Sequence, residues 1–160
     1  LYPHAADTGL YAAASGGVVG TAQNIFEGGY YKDLVESAFE LTTSDPFRLP
    51  AIVRRAGETK YKKELVSLLR LIFRDALILK TAKINGVGQP GKTGRSRAEK
   101  YLMLRSETQR LYNISEYYQL GALIYAQEAL SDAEKQIRFN GVFPQCLEIC
   151  MAKIMEQNNK

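Results

Sequence analysis

The string Gly86-Val87-Gly88-Gln89-Pro90-Gly91-Lys92-Thr93 is where residue types and spacing most directly spell chemistry in this sequence. It satisfies the phosphate-binding pattern G-x-x-x-x-G-K-[ST]. In that pattern backbone N–H groups cradle phosphates, the lysine (here Lys92) reaches the outer phosphates and the hydroxyl (here Thr93) holds Mg²⁺. The chemistry requires a buried strand directly before the loop and a helix directly after it. Here Ala76-Leu77-Ile78-Leu79 is the tail of a strongly periodic helical pattern, and Lys80-Thr81-Ala82-Lys83 intervenes. Gly94-Arg95-Ser96-Arg97 follows Thr93 as loop before any helix begins. No later apolar run ends in a Mg²⁺-binding Asp, and Leu71 to Asp75 precedes the loop and falls on the helix. The match at Gly86, Gly91, Lys92 and Thr93 is therefore read as accidental and no cofactor is expected; a nucleotide-binding enzyme built on 86–93 is kept as an alternative.

Other reactive residue types are sparse. Cys146 and Cys150 stand four apart on one helix face, as two metal ligands could, but no second pair and no suitable His accompanies them. They are expected to be buried free thiols, and no metal site is expected. His4 has no Ser or Cys nucleophile in a recognisable setting. Glu36 with Glu40, and Glu128 with Asp132, have helical i, i+4 spacing, for which a solvated face is the default reading. The net charge is +4. Between Lys92 and Arg110 six cations face only Glu99 and Glu107, so that stretch accounts for the excess and the remainder is neutral in sum. Lys92, Arg95, Arg97 and Lys100 are candidates for contact with phosphate or an acidic partner. Tyr101, with Tyr112 beyond it, is too thin an aromatic supply for stacking bases, so a DNA-contacting helical module on 92–110 is a second alternative only.

The elements that would position these groups are helical. With 46% apolar and 24% charged residues over 160 positions, the chain has the composition of one globular domain, or one domain and a fragment of another. No apolar run approaches the roughly 18 residues of a membrane span. Leu1 shows neither an initiator Met nor a signal-peptide pattern, which suggests a piece of a longer protein.

From Lys60 to Ala82, residues Tyr61, Leu65, Leu68, Leu69, Ile72, Phe73, Ala76 and Leu77 step by three and four, and predict one long helix. A second is predicted from about Ser115, as N-cap, to Phe139, with Leu120, Leu123, Ile124, Leu130 and Ile137 inward and Asn140-Gly141 as its stop. The capping-box match at Ser131 to Glu134 is discounted, because the stripe runs through it in phase. A third is predicted to start near Pro144 and bury Phe143, Leu147, Cys150, Met151 and Ile154 before a fraying polar end at Glu156 to Lys160. Shorter helices are expected over Tyr31 to Thr42, Phe47 to Ala56 and Ser96 to Tyr112, with an exposed mobile loop over Ile84 to Gly94. Of the doublets Tyr30-Tyr31 and Tyr117-Tyr118, one ring each is expected inside and one outside.

The order of these pieces resembles a family. Ala14-Ser15-Gly16-Gly17-Val18-Val19-Gly20-Thr21-Ala22, followed by Glu27-Gly28-Gly29-Tyr30, is similar to the end of the AAA+ lid in delta-prime subunits of bacterial DNA polymerase III clamp loaders. Phe73 to Lys80 looks like that family's long collar helix. Leu120 to Ile137, Asn140-Gly141 and Leu147 to Ile154 look like its last two helices. The resemblance implies an all-α chain: a lid remnant over 1–27 and a helical collar of about five to six helices over 28–160, with a flexible loop near 84–97. It implies a non-catalytic, cytoplasmic assembly domain in DNA replication that packs on the collars of tau/gamma and delta, with only indirect contact to DNA and none to membrane. Thr21 stands about where ATP-hydrolysing relatives place a phosphate-sensing Arg, in keeping with a nucleotide-silent subunit.

Overall fold

The computed structural model describes residues 30–85 and 98–160. The stretch 1–27, the loop string 86–93 and the candidates Lys92, Arg95 and Arg97 lie outside the described residues. Among the described residues there is no strand. Six α-helices follow in order: α1 (Tyr30–Thr43), α2 (Leu49–Ala56), α3 (Lys62–Asn85), α4 (Thr108–Tyr117), α5 (Leu120–Arg138) and α6 (Phe143–Asn158), with a 3₁₀ turn at Arg105–Glu107 before α4.

The 24 residues of α3 give an axis about 36 Å long, and α1, α4 and α5 all pack against it. Three neighbours demand a wider buried stripe than a single face supplies. Val66, Asp75 and Leu79 accordingly join Leu65, Leu68, Leu69, Ile72, Phe73 and Ala76 inside. Helix α5 runs antiparallel to α3: Arg70 meets Glu134, while Lys80 and Lys83 meet Ser115 and Glu116 just ahead of α5. Helix α6 folds back along α5, and α2 lies across α6 and α1. Every residue expected inside α6 is buried, and Cys146, Met155 and Asn158 are buried with them.

Asp45 starts the turn before α2 as its type suggests, its Oδ1 accepting the Phe47 N–H at 2.8 Å. Regular helix begins only at Leu49, with Pro50 in the first turn where its missing N–H is harmless. At the end of α5 the left-handed residue is Asn140 (φ 68°), not the glycine. The Gly141 N–H reaches back to the Gln136 carbonyl at 2.8 Å, closing a Schellman turn. A Cβ at Gly141 would stand 2.7 Å from both Cys146 Sγ and Gln136 O, so close approach is what requires glycine there.

Four sequence expectations are corrected. The helix predicted from Ser115 to Phe139 is two helices, broken at Tyr118-Gln119, which adopt extended backbone. Ser115 is no cap: it is buried within α4 and its Oγ donates to the Tyr112 carbonyl at 2.8 Å. The break is held from afar, because Asn158 Oδ1 accepts the Gln119 N–H at 2.6 Å and Asn158 Nδ2 donates to the Tyr117 carbonyl at 3.2 Å. For the same reason the polar end does not fray before Asn158, which is buried and ends α6. Finally, Ser96 to Tyr112 is not one helix: after Ala98-Glu99 the chain leaves helical geometry until Arg105.

Candidate functional site

The cause of that last departure is Asp75. Burial at an in-phase position of α3 leaves its carboxylate no access to water (0% exposed), and donors surround it. Oδ2 accepts the N–H groups of Met103 at 2.7 Å and Leu104 at 2.9 Å, and Oδ1 accepts Arg74 Nη1 at 2.7 Å. A helix would give those two N–H groups to carbonyls four residues back; the carboxylate takes them instead. Arg105 closes the segment by donating from Nη2 to the Lys100 carbonyl at 2.6 Å and from Nε to the Leu102 carbonyl at 3.2 Å. Leu102 and Leu104 are thereby turned into the core. Burial pushes the Asp75 carboxyl above the ordinary aspartate range, against the pull of the Leu104 and Met103 N–H groups and of Arg74. A charged residue on the buried phase of an apolar stripe is the sequence signal for this group.

The remaining sequence candidates are distributed rather than assembled. Lys100 is exposed. Two further members of the 92–110 stretch, Arg105 and Arg110, are occupied internally. Arg110 forks onto Glu36 at 2.8 and 3.1 Å and lies 3.9 Å above the Phe39 ring centre, and its hydrogen bonds hold the Glu36 carboxyl below its usual range. Glu40 pairs with Arg55, and Asp132 with Lys135 at 2.9 Å, so neither i, i+4 carboxylate pair is set up for acid–base work. Glu128 and Asp132 border a shallow, open hollow shared with Arg70, Gln127, Ser131 and Lys135.

Cys146 and Cys150 are buried free thiols, as expected, and burial pushes the Cys150 thiol up to about 12. Among the described residues no three His, Cys, Asp or Glu side chains gather as metal ligands. Helix α3 continues to Asn85, directly before Gly86, where a nucleotide-binding loop requires a strand. No helix among the described residues is long and apolar enough to cross a membrane.

What the bundle does offer is uncovered apolar surface. Tyr118 is buried, with its hydroxyl donating to the Thr42 carbonyl at 2.9 Å and its ring edge-on to Phe73, while its neighbour Tyr117 faces outward. Ile124, expected inside α5, faces outward too, because Ala122 takes the inward place. Ile149 on α6, Phe139 and Val142 in the α5–α6 turn, and Phe47 before α2 are likewise exposed. A second basic stretch also emerges: Arg48, Arg54, Arg55, Lys60, Lys62 and Lys63 face only Glu58 between residues 48 and 63. Acids elsewhere in the chain balance it, which is why the charge outside 92–110 sums to zero. No protein-family model, curated protein or solved structure matches this chain.

Proposed function

We propose that this chain is the C-terminal region of a delta-prime-type clamp-loader subunit and that it works without catalysis, as an assembly domain. On this reading 1–27 is the remnant of an AAA+ lid, and the helical part from 28 to 160 is a collar that docks on the collars of tau/gamma and delta during bacterial DNA replication. One observation carries most of the support. The segment Phe73 to Lys80, which resembles the family's long collar helix, lies in a helix that three others surround, one of them α5, which the Asn140-Gly141 turn joins to α6 in the family's chain order. The outward Ile124 and Ile149, on the two last helices, agree with it, since large apolar side chains left uncovered are what subunit interfaces use.

Each contact with a neighbouring collar is expected to bury on the order of 800 Å² per partner. The test is size-exclusion chromatography of the chain with collar domains of tau/gamma and delta. A stoichiometric complex, weakened by Ile124→Glu or Ile149→Glu, is the expected result. Separate elution of all three at micromolar concentration overturns the reading.

A further inference from the structure

At one end of the bundle two turns meet. The end of α2 lies against the start of α6, close enough that a Cβ on Gly57 would stand 3.0 Å from Pro144 Cγ. The start of α3 reaches the same place, with Lys62 Nζ 5.6 Å from the centre of the Phe143 ring. Just ahead of that ring the α5–α6 turn carries Phe139, 82% exposed, and Val142, 57% exposed. On the helix ends that meet this turn, Arg54 in the last turn of α2 and Lys62 and Lys63 in the first turn of α3 are exposed, and none forms an ion pair among the described residues. Of the carboxylates on these elements, Glu134 is held by Arg70 and Arg138, Glu58 is exposed in the α2–α3 turn and Glu64 stands in the first turn of α3.

We infer that this end of the bundle, where helix ends bearing Arg54, Lys62 and Lys63 meet the turn bearing Phe139 and Val142, docks an acidic protein segment carrying an apolar side chain between its carboxylates. Charge complementarity selects the acid, since three exposed cations with no ion pair among the described residues attract carboxylates and repel basic surfaces. The exposed ring and valine select the apolar centre, because an interface is dry and apolar at its core and charged at its rim. Phosphates of a nucleic acid would satisfy the cations equally, but a single ring is no platform for successive bases, and Val142 would gain nothing from a phosphate backbone. The inference does not depend on the clamp-loader reading, since it rests on this end alone.

The probe is a fluorescein-labelled peptide with Leu-Phe set between runs of glutamate, titrated with the full chain at low salt and read by anisotropy. Saturable binding is expected, weakened about tenfold or more by the double variant Lys62→Glu/Lys63→Glu, with the loss shrinking as salt rises. Phe139→Ser is expected to weaken it about fivefold while leaving the salt dependence intact. Lys100→Glu, on another part of the surface, is expected to change nothing. All the altered residues are exposed, and a circular dichroism melt of each variant reports its fold. The inference is overturned by absence of saturable binding, by equal binding of a peptide with glutamine in place of glutamate, or by indifference to both sets of variants. Oligothymidylate binding tighter than the peptide through the same residues also overturns it, by transferring the end to nucleic acid.

Discussion

At the seam between α3 and the 98–107 segment, Asp75 is sealed from water and each of its oxygens meets a donor. At the start of the same helix, Lys62 and Lys63 stand exposed beside a turn that displays Phe139 and Val142. The first region spends its charge on architecture. One carboxylate bends a neighbouring segment out of helical geometry and pins it to the core. The second leaves its charge and its apolar surface available to something outside the chain. A buried polar group that lacks partners is strongly destabilising, so it acquires them during folding; an exposed one is solvated and can wait. Charged residue types alone therefore say little about function. Whether the rest of the molecule has already used them says much more.

The largest break in this contrast comes from removing the buried acceptor. Asp75→Ala leaves the Met103 and Leu104 N–H groups without a partner in the interior and is expected to cost about 2–4 kcal/mol of stability. A urea unfolding curve measures it. Lys63→Ala at the open end is expected to stay within about 0.5 kcal/mol. Equal effects from the two would remove the distinction between the regions.

A second clamp sharpens the same point. Asn158 bridges the α4–α5 break by accepting from Gln119 N–H and donating to the Tyr117 carbonyl, and the Gln119 Nε2 donates back to the Asn158 carbonyl at 3.1 Å. Asn158→Ala is expected to cost about 1–2 kcal/mol. It is also expected to speed hydrogen exchange at the Gln119 amide beyond what that global loss explains. An unchanged Gln119 amide would show that the break holds without its clamp.

Acid titration separates the regions by sign. Burial raises the Asp75 pKa in the folded chain above its ordinary 3.8, so the folded state binds that proton more tightly than the unfolded one. Its contribution to stability is fully present below 3.8 and is lost as pH rises through the raised value. Glu36 has the opposite sign: Arg110 lowers its pKa from 4.5, so its contribution is present above 4.5 and lost as pH falls through the lowered value. Wild-type stability minus that of Asp75→Asn should therefore fall as pH climbs from 3.8. The corresponding difference for Glu36→Gln should rise over its own window, by less, since Glu36 is exposed. Matching slopes of one sign would contradict the assignment.

Local pattern made the helices legible and left their interruptions hidden. The stripe from Leu65 to Ala76, the inward face of α6 and the Asn140-Gly141 stop are all set by residues within a turn or two of one another, which is the range over which periodicity and caps act. The break at Tyr118-Gln119 is made by Asn158, 39 positions further on. The unwinding of 100–104 is made by Asp75, which precedes Met103 by 28 positions. Neither partner is visible in a window of neighbouring residues, and in each case the intervening apolar residues keep a helical phase regardless. The candidate surface was legible only in part. The doublet predicts one outward ring without saying that it is Tyr117, Ile124 depends on which face of α5 meets its neighbours, and the basic end depends on turns that fold together from distant parts of the chain.

The smallest expected effect tests the surface side of the contrast most cleanly. Lys83 and Glu116 form a short pair, 2.7 and 2.8 Å, yet both side chains are more than half exposed. Water competes for both ends, and ordering two long side chains offsets most of the attraction, so Glu116→Gln is expected to shift stability by about 0–0.5 kcal/mol and by less at high salt. Lys80, one turn earlier on the same helix, is the control: its Nζ donates to the Ser115 carbonyl at 2.8 Å from a half-buried position. Lys80→Ala removes a charged hydrogen bond made from a half-buried side chain, and is expected to cost about 1–2 kcal/mol with little salt dependence. If the two substitutions proved equal, exposure would not be what decides the value of a charge in this bundle, and the exposed Lys62 and Lys63 at its basic end would lose their distinction from the half-buried Lys80.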